Sequence, residues 1–414
     1  MTSSRNGWDN VPLTEVLDFQ EGPGIMAKDF RESGVPLVRV AGLKRQTHLL
    51  TGCNYLDPDM VSTRWAHFRL MEGDVLLSTS ASLGETATVT SDGVDAIPYT
   101  GIIRFRPRGS AILPAFIAHA LTSPSFKAQI EAEGSGSVIR HFGPSHLRRM
   151  TVVVPPLEEQ KAIAEVLGAL DDKIAANERR LETLNKFCSA WHERIINRAN
   201  IDTPPHTLIE LVKREFITLG DGYRTKQSEH GKPGLPILRV ADIGHGAIAP
   251  KFTHFVSNSY RAAMGPKVSQ RGDVVLTTKG TVGRVAIIES DQPQFVYSPQ
   301  VCYFRLADNS PVSPHYLLHW FQGKEFWSQA GGLKGQTDMA DYLSLRDIRS
   351  LRITVPTPAN LAEFSRVCDP MQEQSEATRR ENDTLASLRD TLLPQLVTGK
   401  IRVKDAERIA GDAT

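Results

Sequence analysis

Residue types that could catalyse are present in this chain, but not at the spacings catalysis needs. His192-Glu193 is not followed by the second histidine of a zinc protease. Asp171-Asp172-Lys173 superficially suggests a nuclease cluster, yet it falls inside a long heptad pattern, where a solvated helix face is the better reading. Gly323-Lys324 and Gly399-Lys400 lack the upstream glycine and the following hydroxyl of a phosphate-binding loop. The Asn/Asp-Pro-Pro-aromatic run of an adenine methyltransferase does not occur. Cys53, Cys188, Cys302 and Cys368 have no paired spacing, which argues against a metal site and a disulfide framework.

The polar loops offer a different chemistry, recognition of a nucleic acid. Ser78 to Gly84, with Ser80 and Ser82, is matched later by Thr277 to Arg284, with Lys279, Thr281 and Arg284. Glycine and hydroxyl residues let backbone N–H groups approach phosphates, and Lys279 and Arg284 add charge. An ordinary strand-connecting turn has the same composition. Gly134 to His141, with Ser137, Arg140 and His141, is matched by Gly331 to Asp338, with Lys334, Gln336 and Thr337. Arg, Lys and Gln are side chains that pair with guanine and adenine edges in the major groove; the alternative is a flexible surface loop. Lys28, in the segment from Gly24, and Arg224 and Lys226, in the segment from Tyr223, are further candidates. Arg39 and Arg239 each lie within a short apolar run, and a shared structural ion pair is expected there before base reading. The net charge is only +1, so any nucleic-acid binding must come from such local patches.

These loops come in pairs because the chain is a tandem repeat. Val35-Pro36-Leu37-Val38-Arg39-Val40-Ala41 returns as Leu235-Pro236-Ile237-Leu238-Arg239-Val240-Ala241. Gly73-Asp74-Val75-Leu76-Leu77 returns as Gly272-Asp273-Val274-Val275-Leu276, and Val152-Val153-Val154-Pro155 as Ile353-Thr354-Val355-Pro356. Each copy starts with short β-like runs punctuated by Gly, Pro, Ser and Asp, with a helix expected over Pro114 to Ile130 and Pro314 to Gln329.

Each copy then ends in a long helix. After Pro155-Pro156, with Glu158 and Glu159 in the first turn, come Ile163, Leu167, Leu170, Ile174, Asn177, Leu181, Leu184, Cys188, Trp191 and Ile195, alternating at spacings of four and three. Apart from Asn177 this is a coiled-coil seam. The second seam, Phe364, Cys368, Met371, Leu385, Leu392 and Leu396, is interrupted by Ser375, Thr378 and Asn382. Pro394 should kink or end its last turn and Gly399 should cap it. A globule–helix–globule–helix chain buries both seams if the second helix returns antiparallel along the first. Asn177 would then lie opposite Asn382, as a buried amide pair or exposed to solvent. About 40 residues at about 1.5 Å each make a rod near 60 Å, suited to bipartite DNA, whose half-sites recur on one face every ~34 Å.

The expected fold is α+β: two similar target-recognition globules separated by an antiparallel pair of long coiled-coil helices, with an internal pseudo-two-fold repeat. The expected segments are globule 1–155, helix 156–198, linker 199–206, globule 207–355, helix 356–401 and tail 402–414. Met1 to Asn6 lacks the apolar core of a signal peptide and no run reaches the about 18 apolar residues of a membrane span, so the cytoplasm is expected.

Pro155-Pro156-Leu157-Glu158-Glu159-Gln160-Lys161-Ala162-Ile163-Ala164 resembles the central conserved segment of type I restriction–modification specificity subunits. Leu392-Leu393-Pro394-Gln395-Leu396-Val397-Thr398-Gly399-Lys400-Ile401 resembles the end of their distal conserved segment. The resemblance implies that each globule reads one part of a split double-stranded DNA site. It also implies that the helices form the spacer and dock two DNA adenine methyltransferase subunits in a complex with restriction/translocase subunits. S-adenosylmethionine, ATP and Mg would belong to those partners, none to this chain, which would have no catalytic centre. Pro358-Ala359-Asn360-Leu361-Ala362 departs from the Glu-Glu-Gln of the first helix start, so one methyltransferase contact would differ between halves. A fused nuclease–methyltransferase and a coiled-coil adaptor binding only proteins are the alternatives.

Overall fold

The computed structural model describes residues 8–43, 48–79, 83–133, 142–199, 204–244, 246–248, 252–289, 292–333, 335–337 and 340–413. The chain divides into two compact units, one of Met1–Glu178 with Arg380–Thr414, the other of Arg179–Arg379. Both boundaries fall inside long helices, Leu157–Ala199 and Pro358–Leu396. Each unit therefore consists of a globule and a stretch of both helices.

In the first unit, strands Leu17–Glu21, Ile102–Pro107, Val75–Ser78 and Thr86–Thr88 form an antiparallel sheet in that order. Alternate residues point to opposite faces, and here both faces are covered. Val75, Leu77, Ile103 and Phe105 pack with Phe116 and Ile117 of helix Pro114–Thr122, while Leu76 and Ile102 pack with Val38, Leu43 and Val89. That is why Val75–Ser78 is buried at every position. A smaller sheet runs Phe30–Arg31, Asn54–Leu56, Val35–Val38 and Ile97–Pro98, its last pair parallel. Asp9–Pro12 pairs with Thr151–Val154, so the globule opens and closes at one place, just before the long helix.

The second unit repeats this plan. Strands Ile217–Asp221, Val301–Leu306, Val274–Thr277 and Val285–Ile287 make the larger sheet. Phe255–Ser257, Gly234–Leu238 and Val296–Tyr297 make the smaller one, and His206–Thr207 pairs with Arg352–Ile353 at the closure. Behind the repeated Gly-Asp-Val lies a repeated ion pair. The buried carboxylate of Asp74 takes two bonds of 2.7 Å from Arg106, and that of Asp273 takes 2.8 and 2.6 Å bonds from Arg305. The backbone approach at Gly22 and Gly222 is repeated as well. A Cβ at Gly22 would lie 2.2 Å from the Pro98 carbonyl oxygen, and one at Gly222 2.0 Å from that of Ser298, so only glycine fits.

The helices pack in antiparallel register inside each unit. In the first, Asp171 meets Arg389 at 2.6 Å and Asn177 meets Asn382 at 2.8 Å. In the second, Cys188 meets Met371 and Arg198 meets Glu363. Ile163, Leu167, Leu170 and Ile174 belong to the same core as Phe105 and Phe116, together with Leu385, Leu392 and Leu396. Ile195 and Phe364 join the core of the second globule in the same way.

Several seam expectations need correcting. Leu181, Leu184, Trp191, Met371 and Asn382 are only half-buried, while the polar Gln160 and His192 are fully buried. Ser375 and Thr378 do not interrupt the line but stay buried in it, their hydroxyls bonded back to the carbonyls of Met371 and Gln374 at 2.8 Å. Such a local bond lets a hydroxyl sit in an apolar seam with its donor satisfied. Pro394 lies in the final turn, the helix ends two residues later at Leu396, and Gly399 follows with φ of 64°. The segment read as a tail contains a helix, Val403–Ala413, whose Ala406 is buried in the first core.

Candidate nucleic-acid interface

The loops singled out by sequence are closed by the same bonds in both copies. Ser78 accepts at Oγ from the Glu85 amide (3.0 Å), and Thr277 accepts at Oγ1 from the Arg284 amide (2.9 Å). Gly84 and Gly283 both have positive φ, 88° and 97°. In the second copy this loop stands beside a hairpin of strands Gly335–Thr337 and Ala340–Tyr342. Lys279 forms a β-bridge with Tyr342, and the Leu343 amide donates to the Thr278 carbonyl. The two candidate loops of the second globule are thus adjacent. Gln336 and Thr337 lie on that hairpin, paired with Asp341 and Ala340. Ser80, Ser82, Ser137, Arg140, His141 and Lys334 lie outside the described residues.

The remaining candidates separate by where they point. Lys279 and Arg224 line one groove of 680 Å³ in the second globule, and neither has an acidic partner among the described residues. Thr281 and Lys226 are exposed, as is Lys28 in the first globule. Arg284 turns inward, its Nη1 bonded at 3.3 Å to the carbonyls of both Val240 and Ile243, so its charge serves the scaffold.

The groove is also lined by Arg239, and by His230, His254, Ser298 and Gln300, which sequence reasoning missed. The expected ion pair of Arg39 and Arg239 is replaced by neutral partners. Arg239 Nη2 lies 3.0 Å from Nδ1 of His254; an arginine N–H can only donate, so Nδ1 accepts. At the equivalent place Arg39 Nη1 donates to Oδ1 of Asn54 at 3.2 Å, and its guanidinium lies over the Tyr99 ring at 4.2 Å. Strand register makes the equivalence explicit. Phe30 corresponds to His230, Asn54 to His254, and Tyr99 to Ser298, whose amides bond Val38 and Leu238 in turn. One scaffold thus presents an aromatic setting in the first globule and an imidazole-and-hydroxyl setting in the second. The only signal in the sequence was the repeated arginine.

At the helix starts, Gln160 of the Glu-Glu-Gln run faces its own globule. Its Nε2 donates to the carbonyls of Ala111 and Pro155 and its Oε1 accepts from the Leu113 amide, each at 2.8 Å. The loss of this residue in the second copy therefore alters a joint within the chain, whereas Glu158 and Glu159 are exposed. In the second unit's stretch of the helices, burial pushes the His192 imidazole down to about 3. A hydrogen bond from Cys368, with nearby His319 and His315, lowers the Cys188 thiol to about 5. No group of three or more His, Cys, Asp or Glu able to hold a metal occurs among the described residues, and no helix is long and apolar enough to cross a membrane.

The chain is 22% identical over 415 aligned residues to the type I restriction enzyme MjaVIII specificity subunit of Methanocaldococcus jannaschii, covering 96% of this chain and 94% of that one. It is likewise 22% identical to the EcoKI specificity subunit of Escherichia coli K12, over 96% of this chain and 86% of that one. The crystal structure of a type I restriction–modification S subunit from M. genitalium shares the fold, with a TM-score of 0.52 at 14% identity over 96% and 98% of the two chains. Residues 5–186 match the family model for the type I restriction modification DNA specificity domain. With the repeat and the paired helices, these likenesses make the chain similar to type I restriction–modification specificity subunits over nearly its whole length.

Proposed function

We propose that the chain reads an asymmetric, bipartite double-stranded DNA site, one half with each globule. In this reading the exposed faces of the helices hold two DNA adenine methyltransferase subunits, and restriction/translocase subunits join the complex. S-adenosylmethionine, ATP and Mg act on those partners in the cytoplasm, while this chain supplies recognition and no catalytic group. One observation carries the reading: the same strand scaffold presents Phe30, Asn54 and Tyr99 in one globule but His230, His254 and Ser298 in the other. Different polar groups at matching places select different bases. Two copies built to bind one protein surface would keep these positions alike.

Mapping methylated adenines made by the chain with its methyltransferase partner tests this. The expected site has two unlike halves around an unread gap. A palindromic site, or methylation without sequence preference, would refute the reading. Methyl transfer by the purified chain alone would refute its non-catalytic role.

A further inference from the structure

Several arginines that tie this fold together bond to carboxylates or to more than one carbonyl. Arg106 and Arg305 hold Asp74 and Asp273 in two-pronged pairs, Arg389 holds Asp171, and Arg284 caps two carbonyls. Arg39 and Arg239 are different. Each is half-buried, each sits at the same step of the smaller sheet, and each has a single side-chain acceptor that is neutral, Asn54 or His254. The rest of each guanidinium has no hydrogen-bond acceptor among the described residues. A half-buried cation left this way keeps N–H donors free for an acceptor that arrives from outside. In the second globule it faces the 680 Å³ groove whose other cations, Arg224 and Lys279, are exposed.

We infer that Arg39 and Arg239 are equivalent base-reading residues, one in each globule, and that each recognises a guanine in its half-site. The inference rests on the DNA-reading function above and names the residues at its centre. A guanidinium matches the O6 and N7 acceptors of guanine with two parallel N–H donors. That match needs the plane of the fork to be fixed, and the acceptor fifteen positions along the chain fixes it, Asn54 in one copy and His254 in the other. Tyr99 adds a ring beneath Arg39, leaving its edge to make the contact. Exposed Arg224 and Lys279 suit phosphates, which carry no sequence information. The globules thus share one reading position and differ in the residues around it, so the halves share a guanine and diverge at its neighbours.

The test uses the chain assembled with its methyltransferase partner and a pool of randomised duplexes, from which wild type first defines the two half-sites. R239A is expected to lose discrimination at a single guanine of one half, by about 5- to 150-fold, and R39A at a single guanine of the other. R239Q is expected to move that position from guanine toward adenine, a gain that misfolding cannot produce. Retention of the unaltered half-site in each variant reports that the complex is intact. Full guanine preference in R239A, or equal loss on all duplexes, would overturn the inference while leaving the two-reader function standing. A wild-type complex that selects no site would overturn that function and the inference with it.

Discussion

Asn177 donates a 2.8 Å hydrogen bond to Oδ1 of Asn382 across the helix pair, and the same amide nitrogen lies 2.8 Å from Oε2 of Glu381. Asn177 is 4% exposed, so the helix seam is crossed at this point by a satisfied polar contact, not an apolar one. A buried amide costs stability relative to leucine but accepts only one register. N177A is expected to destabilise the chain by about 1–2 kcal/mol, because two acceptors lose their donor. N177D sets a carboxylate beside Glu381, so its larger loss at neutral pH should shrink in acid as the pair takes up a proton. Denaturant unfolding of both variants across pH checks this.

The repeated ion pair should matter more than any seam residue. Asp273 is 1% exposed and also accepts from the Tyr297 hydroxyl and the Gln270 amide. D273A therefore takes the carboxylate from the half-buried Arg305, which keeps only the Val268 carbonyl, and leaves the buried Tyr297 hydroxyl without its acceptor, with an expected loss of about 3 kcal/mol. Limited proteolysis should show opening within residues 179–379 for D273A and within the first unit for D74A.

His192 gives the second unit an acid sensitivity. It is packed between Tyr316, His319 and Phe364, and its folded pKa lies near 3, below the ordinary histidine value. Below about pH 6.5 the unfolded chain binds the proton first, so this contribution is complete above that pH and is lost as pH falls toward 3. H192L should flatten the fall in melting temperature between pH 6.5 and 4. An unchanged slope would place the sensitivity elsewhere.

Charge on the rim and charge in the scaffold should behave differently. K279A and R224A are expected to weaken DNA binding alike on all sequences, each reducing the salt-dependence slope by about 1. R284A should instead lower thermal stability, because the carbonyls of Val240 and Ile243 lose their donor. Salt titrations of binding alongside melting curves separate the two.

The seam and the globule should fail together. Leu170 and Ile174 are buried in one core with Phe105 and Phe116, so L170D with I174D places carboxylates where the globule itself packs. Protease resistance of residues 8–155 should fall along with complex assembly. The heptad pattern alone suggests a globule that survives this change, since it shows the seam but not what else the seam touches.

That contrast marks how far the sequence could be read. The repeat and the long helices were legible because period and order survive even where side chains change. The groove was not, because His230, His254 and Ser298 are ordinary residues that acquire meaning only through strand register with Arg239. Arg39 and Arg239 were visible as a repeated pair, but it was not visible that neither guanidinium bonds to a carboxylate among the described residues. Gln160 lay in plain view within a motif, yet its burial against Ala111 and Leu113 needed the folded joint.

The first unit is assembled from two separated stretches of chain, Met1–Glu178 and Arg380–Thr414, while the second is continuous. During synthesis the ribosome delivers Val75, Phe116 and Leu167 long before Leu385, Leu392 and Ala406, which complete their core. The N-terminal globule must therefore wait, with an apolar face uncovered, while the later globule is made and folds. A chain cut back to Arg379 keeps every residue of the later unit and lacks the segments that complete the earlier core.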